Sequence, residues 1–96
     1  MIGKATMGVK IYIAPYLQEY TNNKTMIEVS GRNVGECLDE LVKEFPEMER
    51  ILFVEGRKLF PYMSIFLNLS DTYPEDLAKP VRNGDEISIA YIIAGG

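Results

Sequence analysis

The chain closes on the stretch Glu86-Ile87-Ser88-Ile89-Ala90-Tyr91-Ile92-Ile93-Ala94-Gly95-Gly96, and its last two residues are the first candidates for chemistry. Gly96 carries an α-carboxylate, ionised at neutral pH because its reference pKa is about 3.5. Gly95 and Gly96 lack a Cβ, so they fit a narrow channel and adopt backbone angles that other residues avoid. A thin segment ending in a free carboxylate is suited to capture by another protein. The plainer reading is a frayed, glycine-rich terminus, and the rest of the chain must decide between the two.

Other reactive side chains are sparse. Histidine is absent from the 96 residues, which removes the usual acid–base group near neutral pH. Cys37 is the single cysteine, so no internal disulfide framework exists and no Cys/His metal spacing is present. Cys37 falls on the apolar stripe of a helix, where a thiol is expected as inert packing rather than as a nucleophile. Asp71, Glu75 and Asp76 resemble a cation cluster in composition only; nothing in their spacing fixes a geometry, and they are expected in a solvated loop. There is no glycine-rich phosphate loop and no G-x-S-x-G. Catalysis by this chain alone is therefore not expected, nor is a bound cofactor or metal.

The elements that position the terminus follow from periodicity. Ile87, Ile89, Tyr91 and Ile93 alternate with the intervening residues, the pattern of a strand with one buried face. Val9, Ile11 and Ile13 alternate likewise, until Pro15 ends that ladder. After a loop through Asn22-Asn23, Thr25, Ile27 and Val29 form the inward set of a second strand, the partner of the first in a hairpin. Asn33 opens a helix with Glu36 at the capping-box position. Val34, Cys37, Leu38, Leu41, Val42 and Phe45 make its apolar stripe, and Pro46 stops it. The helix's acidic outer side is expected to be solvated. Ile51–Val54 and Leu59-Phe60 flank Glu55-Gly56-Arg57-Lys58 as a short hairpin, and Met63, Ile65 and Leu67 face inward on a further strand. Residues 68–82 are irregular, with Leu77 and Val81 tucked against the core, and Asn83-Gly84-Asp85 turns into the last strand.

This order predicts one α+β domain over residues 1–96, a mixed sheet with one main helix packed across it. Residues 1–8 are read as a loose extension and 94–96 as a flexible tail. If the inward sets face the helix, the other face of the sheet carries Tyr12, Ala14, Phe66, Ala90 and Ile92. Tyr12, Phe66, Ala90 and Ile92 are the candidate partner surface beside the tail, because Phe66 and Ile92 are costly to leave in water. The net charge of −4 and the scattered basic residues disfavour nucleic acid as a partner. No apolar run approaches the roughly 20 residues of a bilayer span, and the cytoplasm is the expected location.

These pieces together resemble the MoaD/ThiS family of sulfur-carrier proteins, which have the ubiquitin-like β-grasp fold. The resemblance rests on Val9–Ala14 followed by Tyr16-Leu17-Gln18-Glu19, on Asn33-Val34-Gly35-Glu36-Cys37-Leu38, and on Met63-Ser64-Ile65-Phe66-Leu67-Asn68. It rests further on Asn83-Gly84-Asp85-Glu86-Ile87 and the terminal Ile93-Ala94-Gly95-Gly96. It implies that an ATP-using adenylyltransferase of the ubiquitin-activating type adenylates Gly96. Sulfur then replaces AMP, and the resulting thiocarboxylate supplies a downstream sulfur-accepting synthase. Ile93, Ala94 and Gly95 would be the residues gripped with Gly96. The small subunit of molybdopterin synthase ranks first among the pathways implied, with thiamin and cysteine carriers behind it. The alternatives are a ubiquitin-like modifier conjugated through Gly96 and a β-grasp interaction module with no carrier role. Two departures stand out: Leu69 follows Asn68 where the family commonly has glycine, and Tyr91-Ile92-Ile93 precedes the tail where many relatives have proline and valine.

Overall fold

The structure, a computed structural model, describes residues 8–56 and 58–91. Strand β1 (Val9–Ile13) buries Val9, Ile11 and Ile13 and exposes Lys10 and Tyr12. A 3-10 helix over Pro15–Thr21 replaces the expected loop; proline at its first position suits a helix start, where the missing N–H has no partner to lose. Asn22 and Asn23 follow at φ 59° and 65°, the left-handed region that asparagine tolerates. Strand β2 (Met26–Val29) then pairs antiparallel with β1, Val9 opposite Val29 and Tyr12 opposite Met26. Ile27 and Val29 are buried, but Thr25 is exposed, contrary to the inward set read from the sequence. Thr25 lies before the strand begins. The buried threonine of this segment is Thr21, whose hydroxyl lies 2.9 Å from the Lys24 carbonyl.

Helix α1 (Val34–Glu44) forms where the apolar stripe and cap predict it. The Glu36 N–H donates to Asn33 Oδ1 at 2.8 Å, and the Glu36 carboxylate accepts from the Arg32 N–H at 2.8 Å. The first bond satisfies an amide that the first turn leaves free, and the second ties the residue before the cap to the helix. Val34, Cys37, Leu38 and Leu41 are fully buried, with Val42 and Phe45 at the margin of the core.

A second helix, α2 (Met48–Leu52), stands where the sequence reading put the first arm of a hairpin. Met48 and Leu52, four residues apart, are both fully buried, which is helical spacing. The hairpin itself is shorter, β3 (Phe53–Val54) with β4 (Lys58–Leu59), and forms its own two-stranded sheet. Strand β5 (Met63–Leu67) buries Met63, Ile65 and Leu67 as expected, and β6 (Ser70–Asp71) adds a short edge. A 3-10 turn at Asp76–Ala78 follows the cis Tyr73–Pro74 bond, with Val81 buried and Leu77 against the core.

Strand β7 (Glu86–Tyr91) completes a five-stranded sheet ordered β2-β1-β7-β5-β6. It runs parallel to β1, with Ile11 opposite Ile87 and Ile13 opposite Ile89, and antiparallel to β5, with Met63 opposite Tyr91. The last strand is therefore central, bonded on both sides, with Ile87 and Ile89 almost wholly buried beneath it. Gly8 joins the body too, its carbonyl accepting from the Gly84 N–H at 2.9 Å.

Candidate docking face and tail

The terminus is aimed by what holds the start of β7. Arg82 to Asp85 make a turn in which Gly84 takes φ 92°, a conformation that costs glycine little. Asp85 ties this turn to its surroundings. Its carboxylate accepts from the Arg82 N–H at 2.7 Å and from Asn68 Nδ2 at 3.0 Å, and its carbonyl accepts from the Lys10 N–H at 3.1 Å. Asn68 completes the clamp, since its Oδ1 accepts from the Glu86 N–H at 2.9 Å. Two of the sequence pieces behind the family resemblance, the one ending at Asn68 and the one starting at Asn83, thus meet in space. Local sequence reasoning missed this contact, because 17 residues separate Asn68 from Asp85.

From that clamp β7 crosses the sheet and delivers the chain to the opposite end. Its outward residues form ordered rows with those of its neighbours. Tyr12 and Phe66 lie on either side of Ser88, with Met26 beyond Tyr12 and Asp71 beyond Phe66. Adjacent strands are about 4.8 Å apart, so Tyr12 and Phe66 are about 10 Å apart across Ser88. Tyr12 is 39% exposed and Met26 37% exposed, while Phe66 and Ala90 are half-buried. The structure thus brings Tyr12, Phe66 and Ala90 onto one face and adds Met26 and Ser88, which the sequence reading left out. Ile92 and the tail residues Ile93, Ala94, Gly95 and Gly96 lie outside the described residues.

The face is graded along β7. At its start the row is Glu28, Lys10, Glu86 and Asn68, all polar; the middle row is Met26, Tyr12, Ser88, Phe66 and Asp71; and near the end of β7 Ala90 faces Ser64. An apolar hollow of about 340 Å³ lies at this same end, lined by Tyr16, Tyr20, Arg50, Ile51 and Phe60 together with Met63, the partner of Tyr91. The Tyr20 phenol is held above its ordinary pKa, first by its hydrogen bond with Glu19 and then by that carboxylate's charge.

The single thiol is not available as a nucleophile. Cys37 is fully buried, and burial, followed by the charges of Glu36, Glu40 and Asp85, pushes its thiol up to about 11. Asp71, Glu75 and Asp76 are engaged locally: Asp71 Oδ1 accepts from the Tyr73 N–H, Asp76 Oδ1 lies 3.2 Å from the Thr72 hydroxyl, and Glu75 pairs with Lys79. Among the described residues, no helix is long and apolar enough to cross a membrane.

The same architecture recurs in a chain of the crystal structure of the Amycolatopsis orientalis BexX/CysO complex. It is 25% identical with a TM-score of 0.81, over 92% of this chain and 99% of that one. The fold is the ubiquitin-like β-grasp. The solution structure of the small archaeal modifier protein 1 of Methanosarcina acetivorans shares this β-grasp, with 24% identity and a TM-score of 0.81 over 96% of this chain and 100% of that one. In sequence, a candidate sulfur carrier protein of Archaeoglobus fulgidus is 45% identical over 51 residues. That segment is 52% of this β-grasp chain and 57% of the relative, so the match spans little more than half of either. No family model matches the chain. The resemblance to ubiquitin-like sulfur carriers, read first from short motifs, is borne out by these relatives.

Proposed function

We propose that the chain is a sulfur carrier whose working group is the Gly96 carboxylate. The observation that carries this reading is the place of β7: the strand leading to the tail is the central strand, hydrogen-bonded to β1 and β5 and buried beneath. A partner can grip the residues beyond it without prising off an edge. The 45% identity to a candidate sulfur carrier supports the same reading.

The chemistry is supplied from outside. A carboxylate is resonance-stabilised and resists nucleophiles. In an activating enzyme, one Gly96 oxygen attacks the α-phosphorus of ATP and pyrophosphate leaves, giving an acyl-adenylate. Sulfur at the sulfide level then attacks the carbonyl and AMP leaves, so the carboxylate becomes a thiocarboxylate with no net redox change on carbon. A biosynthetic enzyme that accepts this sulfur is the second partner. The chain acts as co-substrate, and its own residues bind and orient: Ile93, Ala94 and Gly95 thread the tail, while Tyr12, Phe66, Ala90 and Ile92 meet the partner's surface.

Intact mass spectrometry tests this directly. The protein is incubated with an activating enzyme from the same source, ATP and a sulfide donor. A gain of about 16 Da, the sulfur-for-oxygen difference, is the expected result. An unchanged mass, with no adenylate trapped, refutes it. Conjugates to lysines of other proteins, with no thiocarboxylate, would replace it with the modifier reading.

A further inference from the structure

The hollow at the far end of β7 is an apolar bowl that the body closes only in part. Tyr20, Ile51 and Phe60 pack on the core yet stay half-buried around it, and Tyr16 is 54% exposed at its rim. Large side chains held half out of water around one concavity gain from a further apolar cover. Met63 also lines the hollow and pairs with Tyr91, and paired residues of antiparallel strands lie about 5 Å apart. The segment beyond Tyr91 therefore starts at the rim of the hollow.

That segment matches the hollow in length, composition and charge. Ile92, Ile93 and Ala94 supply apolar cover, and Gly95 and Gly96 add no bulk. Five extended residues reach about 17 Å, and a sphere of the hollow's volume is about 9 Å across. Ile93 shares the sequence parity of Ile87 and Ile89, the side of the sheet on which Met63 is buried. From Ile93 to Gly96 is three steps, about 10 Å, the width of the hollow. Arg50 is the cation among the described lining residues. Glu19 and Glu47 act on the Tyr20 phenol and Arg50 opposes them, so apolar cover supplies most of the hold and the guanidinium selects the end. A tether this short also gives the tail a millimolar effective concentration, which a diffusing ligand lacks. We propose that the hollow is a resting site for the chain's own last five residues. Ile93 seats among Tyr16, Phe60 and Met63, and the Gly96 carboxylate lies against the Arg50 guanidinium, so a partner must lift the tail before using it. This goes beyond the carrier reading, with which it shares only the terminal carboxylate.

Nuclear magnetic resonance of the full, isotope-labelled chain tests this with no partner present. Cross-peaks from the Ile93 methyls to the Tyr16 or Phe60 rings are expected, with order parameters at Ile93, Ala94 and Gly95 above the value of about 0.6 that marks a free end. Arg50→Glu changes an exposed residue and should drop Gly95 below about 0.6, while Ile87 to Ala90 stay near about 0.85. Carboxypeptidase trimming follows the open population, and it should run at least about threefold faster on Arg50→Glu than on the parent, whose tail sequence is the same. Parent order parameters below about 0.6 beyond Tyr91, with no such cross-peaks, overturn the inference. Equal trimming of the two chains overturns it as well. Cross-peaks found only between differently labelled copies assign the hollow to a second chain's tail and also overturn it. The mass gain is read separately: a docked tail without it leaves this inference standing and brings down the carrier reading alone.

Discussion

Replacing Asn68 dissects the clamp that fixes the last strand. Its side chain makes two bonds, Nδ2 to Asp85 at 3.0 Å and Oδ1 from the Glu86 N–H at 2.9 Å, both solvent-accessible. Each is taken at the lower half of the usual range, about 0.5–1 kcal/mol. Loss of both costs about 1–2 kcal/mol. The backbone adds a separate contribution, because Asn68 sits at φ 51°, where alanine is disfavoured by about 1 kcal/mol relative to glycine. Asn68→Gly should therefore destabilise by about 1–2 kcal/mol and Asn68→Ala by about 2–3 kcal/mol. Urea denaturation followed by circular dichroism gives both, provided the m-value stays constant. In melting, the alanine variant should lose roughly 8–24 °C at about 4–8 °C per kcal/mol. A glycine variant as stable as the parent would show that the two bonds contribute nothing. Alanine and glycine variants of equal stability would refute the backbone argument. A double-mutant cycle with Asp85→Ala should return a coupling of about 0.5–1 kcal/mol.

Cys37 should resist thiol reagents at pH 8 until the protein unfolds, and rapid labelling of the native chain would contradict its burial. Because its folded pKa, about 11, lies above the ordinary value of 9, its contribution is fully present below pH 9 and is lost as pH rises through 11. A Cys37→Ala variant should accordingly show a shallower alkaline decline, by about 2–3 kcal/mol across that window, and identical declines would refute the assignment. Phe66→Lys should cost less than about 1.5 kcal/mol of stability, since Phe66 is half-buried on the outer face, yet weaken binding of the activating enzyme tenfold or more; the reverse pattern would place the ring in the core. Deleting Gly96 should leave Tm within about 1 °C and abolish the mass gain. A melting loss comparable to a core truncation would show that the residue belongs to the body.

The sequence disclosed elements whose cause is local. Helix α1 was legible because six apolar residues fall on one stripe and Asn33 and Glu36 stand at cap spacing; the Asn33 cap bond forms, while Glu36 reaches back to the Arg32 N–H. Strands β1, β5 and β7 were legible from strict alternation. Helix α2 was not, because the run Ile51–Val54 crosses from a helix end into a strand and matches neither period alone. Thr25 shows the same weakness at a boundary: parity was right for Ile27 and Val29, but the strand starts one residue too late to include it. The candidate docking face was half legible. Alternation assigned Tyr12, Phe66 and Ala90 to one side of the sheet, but only the insertion of β7 between β1 and β5 makes Tyr12 and Phe66 neighbours across Ser88. That fact belongs to topology, and no window of sequence contains it.

The same insertion explains why β7 is held so firmly in the body. β1 and β7 lie about 70 residues apart in sequence, yet they pair in parallel from Lys10 opposite Glu86 to Ile13 opposite Ile89. Such a pairing forms only after the intervening chain has folded over, so it carries a large closure entropy and little local help. Once formed, it locks β7 between two ladders over a buried pair of isoleucines. A pull on the residues beyond Tyr91 must then break hydrogen bonds on both sides at once, whereas an edge strand would yield one ladder at a time. Changes within Glu86–Tyr91 are therefore changes to the fold. Under the carrier reading proposed above, this anchoring lets a partner take hold of the residues beyond Tyr91 without unravelling the sheet.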